Sequence, residues 1–347
     1  MHFDEPHWWY GAHQGVLARG MQPLASAYGA IAMRRYKMQQ VYQSRLPVIC
    51  AGNFTAGGTG KTPLTRKICE MLTSRGERPA VLTRGYGGTV RGPHWVATPQ
   101  DTAARVGDEP LLFAAWVPTL VARDRAAGAK AVEAAGDKAS VIVMDDGMQN
   151  GGLAKDLALA VVDARRGFGN GRVIPAGPLR APLPFQFELA DAIVVNVGAS
   201  GDDQGGAVAE QLRRVFPGPV IEARVIAVGD PGQLKRRPLL AFAGIGAPQR
   251  FFDLLEREGA HVIERLTFAD HHHYSAADAE RLLERARETG AQLITTEKDH
   301  VRLNAALGAL AALREQTAIL PIALSFDRQS EQRLAALIDA ALCQRAG

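Results

Sequence analysis

The stretch that decides the fold is Leu46-Pro-Val-Ile-Cys-Ala51 followed by Gly52-Asn-Phe-Thr-Ala-Gly-Gly-Thr-Gly-Lys61-Thr62. The first six residues are an apolar run that predicts a strand. The next eleven form a glycine-rich turn closing on a Lys-Thr pair, and a helical pattern runs on through Leu72. Strand, glycine-rich loop and helix together are the context of a phosphate-binding P-loop. Its backbone N–H groups curl around a phosphate, and the helix N-terminus adds partial positive charge. On this reading Thr55, Ala56, Gly57, Gly58, Thr59, Gly60, Lys61 and Thr62 cradle the nucleotide phosphates. Lys61 bridges the outer phosphates and the Thr62 hydroxyl holds Mg²⁺. One departure stands out: the strict pattern has glycine where this chain has Thr55.

An acidic strand end should accompany such a loop. Ser140-Val-Ile-Val-Met-Asp145-Asp146-Gly-Met-Gln-Asn150 supplies it, and an aspartate at the C-terminal end of a parallel strand faces the ligand crevice. Asp145 and Asp146 therefore join Thr62 as expected metal ligands. Further strands are predicted at 79–83, 157–162, 192–197 and 220–228, alternating with helical stretches. This is the pattern of an α/β protein with a doubly wound parallel sheet. After Lys235-Arg-Arg-Pro238 a second α/β pattern begins, with strands at 239–243, 262–266, 292–296 and 318–323. The expected organisation is an N-terminal segment 1–45, a P-loop domain 46–235 and a smaller α/β domain 236–347.

Two P-loop subclasses are disfavoured. Ala56 occupies the place of the second lysine of partitioning-type ATPases, and the strand at 192–197 leads into Asn196-Val-Gly-Ala where a guanine reader would be. ATP is thus expected as the nucleotide. The chain has 347 residues, 47% hydrophobic and 22% charged, which suits a globular protein of about two domains. Three widely spaced cysteines exclude a disulfide framework and point to a reducing compartment.

The net charge is +4, and it is unevenly placed. From Pro6 to Lys67 there is no acidic residue, whereas Arg19, Arg34, Arg35 and Lys37 fall within the first 40 positions. Leu17, Met21, Leu24, Tyr28 and Ile31 recur at helical spacing. Two readings fit this segment: an amphipathic helix lying in a membrane interface, or a helix whose apolar face covers the domain behind it. No nucleic-acid recognition motif accompanies the basic stretch, and nothing in the residues sets an oligomeric state.

The remaining loops narrow the class. Arg84-Gly-Tyr-Gly-Gly88, Gly107-Asp-Glu-Pro110, Phe168-Gly-Asn-Gly171, Pro175-Ala-Gly-Pro-Leu-Arg180 and Thr295-Thr-Glu-Lys-Asp299 all sit at strand ends. In this order, with the P-loop and Asp145-Asp-Gly-Met-Gln149, they closely resemble the tetraacyldisaccharide 4'-kinases of lipid A biosynthesis. The resemblance implies transfer of the ATP γ-phosphoryl group to the 4'-hydroxyl of tetraacyldisaccharide 1-phosphate, giving lipid IVA. It implies a lipid substrate met at the membrane surface, on the cytoplasmic face of the bacterial inner membrane. It also implies two lobes joined by a two-stranded linker, with nucleotide between them.

By the same resemblance Lys61, Thr62, Asp145 and Asp146 match the phosphate and metal residues. Asp108 matches the aspartate that deprotonates or orients the attacking hydroxyl, and His271, in Phe268-Ala-Asp-His-His-His-Tyr274, matches its histidine partner. Asn150 stands where many relatives have histidine. The adjacent His271, His272 and His273 diverge as side chains and lack the companions a zinc site needs. Glu297, Lys298 and Asp299 read either as a charged turn or as support for the site. The alternatives are a soluble P-loop kinase of a small sugar or nucleoside, which needs no basic aromatic N-terminus, and a non-catalytic P-loop switch or metallochaperone.

Overall fold

A computed structural model describes residues 6–10, 15–58, 60–197, 203–229, 231–303 and 308–344. The strands are β1 (Val48–Asn53), β2 (Pro79–Thr83), β3 (His94–Trp95), β4 (Thr119–Val121), β5 (Val141–Asp145), β6 (Leu157–Asp163) and β7 (Ala192–Asn196). They continue as β8 (Val220–Ala227), β9 (Leu239–Ala243), β10 (Val262–Thr267), β11 (Gln292–Thr296), β12 (Thr317–Leu320) and β13 (Ile322–Ser325). The larger sheet has the order β13-β8-β7-β6-β1-β5-β2-β4-β3 and is parallel apart from its two edges. β1, the P-loop strand, lies at its centre, with Ala51 level with Asp145 and Gly52 level with Ala160.

The central strands are apolar on both faces because both faces are covered. Val48 and Cys50 pack into one core and Ile49 and Ala51 into the other. Helices Lys61–Thr73 and Arg328–Cys343 cover the second face. The smaller sheet, order β10-β9-β11-β12, is wholly parallel and has its own pair of cores.

The two sheets are joined by crossings at 228–238 and at Pro321. The expected strand 318–323 is divided there, with β12 in the small sheet and β13 antiparallel to β8 in the large one. Proline has no N–H to give a ladder, and its carbonyl accepts from Val228 N at 2.9 Å, so the chain changes sheet at this residue. The C-terminal portion expected as one domain therefore splits. Residues 239–320 build the small lobe, and helix Arg328–Cys343 returns to pack on β8, β1 and β6. β8 and β13 form the two-stranded connection between lobes.

The N-terminal stripe becomes two helices, Val16–Gly20 and Gln22–Met38, with Pro23 in the first turn of the longer one. They dock by their small residues. Ala18, Ala25 and Gly29 are buried, and Gly29 lies against Pro182 and Val173.

The parallel strands of both sheets end at one cleft between the lobes, the usual place for ligands of open α/β sheets. Gly52 fixes the floor beneath it: a Cβ there would stand 2.7 Å from Met148 Cβ, in the turn that carries Asp145 and Asp146. Gly52→Ala should therefore cost about 1–3 kcal/mol, read as a fall of several degrees in the thermal midpoint. An unchanged midpoint would mean that the turn yields freely.

Candidate active site

The loop after β1 doubles back sharply, with Gly57 at φ 88° and Gly60 at φ 96°. Both lie in the left-handed region that side chains disfavour. The Asn53 amide donates to Thr55 O at 2.8 Å, and its Oδ1 accepts from Lys61 Nζ at 3.3 Å. From outside, the loop 175–180 buttresses it: Ala56 N donates to Pro178 O at 2.8 Å and Arg180 N to Phe54 O at 2.9 Å. Ala56, Gly57, Gly58, Gly60, Lys61 and Thr62 line a cleft of about 1100 Å³. Thr55 is buried beneath the loop instead, where its backbone bridges to Leu179. Thr59 lies outside the described residues.

The two adjacent aspartates occupy opposite environments. Asp145 is the last residue of β5, fully buried, and accepts from Thr65 Oγ1 at 3.2 Å and Thr83 Oγ1 at 3.4 Å. Burial pushes its carboxyl up, and the Glu109 and Asp146 charges push it further. Asp146 has left the strand, at φ 50°, and its side chain faces the cleft. There it accepts from Arg180 Nη1 at 2.6 Å and lies 3.6 Å from Lys61 Nζ. Burial raises it too, but the Arg180 and Lys61 charges prevail and hold it well below the usual carboxylate range. Asp146 and Thr62 both bring hard oxygen to the cleft. That donor set suits Mg²⁺, which keeps waters and phosphate oxygens among its ligands, with Asp145 held one layer behind.

Across the cleft stands His271, the other non-glycine residue in the left-handed region among those described, at φ 57°. Such strain gathers at functional sites. Its Nδ1 is 3.1 Å from Asp108 Oδ2, although the two residues belong to different lobes. Tyr86 packs on the imidazole, with ring centroids 5.5 Å apart. His271 lines the cleft, whereas Asp108 is buried behind it. Asp108 Oδ1 accepts from Glu109 N at 2.9 Å, and Oδ2 also accepts from both Nε and Nη2 of Arg302. Burial raises this carboxyl, but Lys298, His271 and Arg302 together hold it far below its ordinary range. It stays an anion.

The Thr295–Asp299 motif supports this corner. Thr296 caps helix Glu297–Arg302, and the buried Asp299 accepts from Thr296 Oγ1, Gly244 N and Tyr274 OH. Lys298 Nζ pairs with Glu109 at 3.1 Å, and both line the cleft. His272 pairs with Asp278, in the capping box of helix Ala276–Thr289, at 3.1 Å. Asn150 closes its own turn by accepting from Gly152 N at 3.0 Å. Two site residues carry no assignment from sequence. Arg180 is visible there as the last residue of its motif, but Arg302 has no local signal and meets Asp108 from 194 positions away.

A P-loop, an acidic pair at the neighbouring strand end and an Asp–His pair that spans the two lobes define a P-loop phosphotransferase. Its relatives specify which. A family model described as tetraacyldisaccharide-1-P 4'-kinase, LpxK, matches residues 17–342. A tetraacyldisaccharide 4'-kinase of Rhodopseudomonas palustris strain BisA53 is 48% identical over 303 residues, 86% of each chain. One of Nitrobacter hamburgensis is 44% identical over 332 residues, 95% of this chain and 96% of its own. A crystal structure of LpxK from Aquifex aeolicus in complex with ATP superposes with a TM-score of 0.73 at 25% identity, over 94% of this chain and all of that one. This chain belongs to the tetraacyldisaccharide 4'-kinase family.

The charge on Asp108 has a measurable signature. A carboxyl held low in the folded state binds fewer protons there than in the unfolded chain. Its stabilisation is complete above the ordinary value, near pH 4, and disappears as the pH falls through the lower folded value. Asp108→Asn, which leaves Arg302 facing a neutral amide, should destabilise by about 3–5 kcal/mol at pH 7. In denaturant titrations the deficit should shrink as the pH is taken below about 4. A deficit independent of pH would show that packing rather than charge is lost.

Proposed function

We propose that this chain transfers the γ-phosphoryl group of ATP to the 4'-hydroxyl of tetraacyldisaccharide 1-phosphate, forming lipid IVA in lipid A biosynthesis. One observation carries the reading: the P-loop and His271 face the same cleft from opposite lobes, and Asp108, buried behind it in the P-loop lobe, meets His271 across the junction. Phosphoryl transfer is mainly positioning and charge stabilisation, and the cleft supplies both. Backbone amides of Gly57, Gly58 and Gly60 bind the phosphates, and Lys61 follows the negative charge on the transferred group. Mg²⁺ on Asp146 and Thr62 would neutralise further phosphate charge, while Arg180 holds the Asp146 carboxylate in place.

Behind His271, Asp108 is an anion whose oxygens already accept from Glu109, His271 and Arg302. We therefore give contact with the acceptor to His271. An anionic Asp108 keeps the proton on Nδ1, which makes Nε2 the basic nitrogen. Nε2 orients the 4'-hydroxyl and takes its proton as the new O–P bond forms. Asp108 stabilises the imidazolium that results, the division of labour seen in Asp–His pairs generally.

The expected product is a radiolabelled lipid formed from γ-labelled ATP and tetraacyldisaccharide 1-phosphate. Lys61→Ala should lower kcat by at least about 10³-fold with the fold intact. A labelled product from a small soluble sugar, with none from the lipid, would replace this reading with the soluble-kinase one.

The lipid reaches the cleft from a membrane surface, on the cytoplasmic face of the inner membrane. With the small residues of helix Gln22–Met38 turned inward, its large ones face out: Leu24 is 63% and Ile31 56% exposed, with Leu17 and Tyr28 beside them. Arg34, Arg35 and Lys37 end the stripe. An exposed apolar row closed by cations suits the headgroup boundary of an anionic bilayer. Among the described residues no helix is long and apolar enough to cross a membrane. The double variant Leu24→Glu, Ile31→Glu should lose at least about tenfold in co-sedimentation with vesicles containing phosphatidylglycerol. Its thermal midpoint should stay unchanged because neither residue packs inside. Equal sedimentation would exclude this face.

A further inference from the structure

Arg302 is an arginine with almost no exposure (its side chain is 3% exposed), and all three of its nitrogens are engaged. Nε and Nη2 both reach Asp108 Oδ2, the oxygen that also meets His271 Nδ1. Nη1 donates to Gly244 O at 2.6 Å and to Asp299 Oδ1 at 2.9 Å. The same Gly244 carbonyl accepts the backbone N–H of His271 at 3.1 Å. One guanidinium therefore fixes the carboxylate of the Asp–His pair and, through one shared oxygen, the backbone that carries the histidine.

We infer that Arg302 is the positioning residue of the Asp108–His271 pair, the group by which the small lobe sets the geometry of an aspartate in the large lobe. The inference rests on the roles proposed above for Asp108 and His271. Three features separate Arg302 from an ordinary buried ion pair. It is anchored from behind by Asp299, which Tyr274, Thr296 and Gly244 hold in turn, so the guanidinium plane has little freedom. It reaches across the lobes in parallel with Lys298, one helical turn earlier on the same face, which holds Glu109. The shape of the fork also suits this position, because a planar guanidinium can hold a carboxylate and a carbonyl at fixed angles together, and a lysine cannot. His271 occupies a strained backbone conformation, and strain of this kind persists only where the surroundings over-determine it. The Arg302–Gly244 contact is part of that determination.

The test compares Arg302→Lys, Arg302→Met, Asp108→Asn and the double variant Asp108→Asn, Arg302→Met, with ATP and tetraacyldisaccharide 1-phosphate varied separately. Arg302→Met should lower kcat by at least about 50-fold while KM for both substrates moves less than about twofold, the mark of an interaction needed in the transition state. Arg302→Lys should recover part of that loss, with kcat still about tenfold low, because charge returns without the fork. The double variant should turn over no more slowly than Asp108→Asn alone. Full kcat in Arg302→Lys, or multiplicative losses in the double variant, would overturn the inference while leaving the proposed function standing. Normal turnover in Asp108→Asn would overturn the proposed roles and this inference together. If Arg302→Met does not fold, Arg302→Lys keeps the buried charge and the double variant removes both charges, and these two decide the matter.

Discussion

Two facing sheets cannot present their strand ends to each other without bringing charge together in a place poorly reached by water. That constraint shapes this molecule. Asp108 is buried at the junction and remains charged because Lys298, His271 and Arg302 arrive there from the other lobe. Removing a carboxylate and a guanidinium from water costs several kcal/mol per ion, and their attraction barely repays it. Such a contact adds little net stability. Its effect is on arrangement, since either charge without its partner is strongly unfavourable and only one relative placement of the lobes satisfies both. The opposite rim of the cleft is bridged by more exposed contacts, where Arg165 meets Asp253 at 3.1 Å and Arg166 donates to Gly246 O at 3.2 Å.

Asp145 and Asp146 show the same effect within one lobe. They are neighbours of identical chemistry, yet one carboxyl is driven up and the other down. The strand ends between them. Asp145 keeps the strand's inward direction and accepts only from hydroxyls, its burial and the like charges of Glu109 and Asp146 outweighing Lys61 and Arg125. Asp146 instead turns through a left-handed conformation toward two cations in direct contact. A doublet in the sequence thus serves as two different residues, one holding the strand end and one facing the ligand.

What can be read from the sequence follows the range of the forces involved. Strands β2, β5, β6 and β7 and the acidic doublet are legible within a residue or so, and β1, expected at 46–51, lies two residues further on at Val48–Asn53, leading into the P-loop. Each is written in a local pattern of apolar runs and glycine turns, and β1 and β5 then pair directly. β3 and β4 are not, because strands of two and three residues carry no period. The crossing at Pro321 is hidden for a related reason: apolar residues continue on both sides of it, and only the partner strands reveal that they belong to different sheets. Arg302 is the extreme case. Nothing about its neighbours distinguishes it from a surface arginine on a short helix, and its role exists only once Asp108 has been brought to it. The N-terminal stripe shows the converse. Its period is plain, but period alone does not say which face docks, and the small residues take the inward side because Gly29 allows the approach to Pro182.

That choice of face connects the helix to the chemistry. Met21, at the break between the two N-terminal helices, lines the same cleft as Lys61 and His271, and so do Trp8 and Trp9. Trp9 is held there by its indole N–H, which donates to Pro175 O at 3.1 Å, and Pro175 opens the loop that carries Arg180. The apolar surface proposed to lie in the bilayer is therefore continuous with the mouth of the reaction cleft. A substrate with several acyl chains would lose about 0.8 kcal/mol for each methylene drawn from hydrocarbon into water. Extracting whole chains into a polar cleft would cost far more than binding could return. On the proposed placement an apolar lip at the membrane would remove that cost, since only the sugar headgroup would have to rise to the phosphates while its chains stayed among lipid or against Trp8, Trp9 and Met21. On the same proposal His271, on the lobe facing the P-loop, would meet the hydroxyl from the side opposite the phosphate, with the headgroup between them.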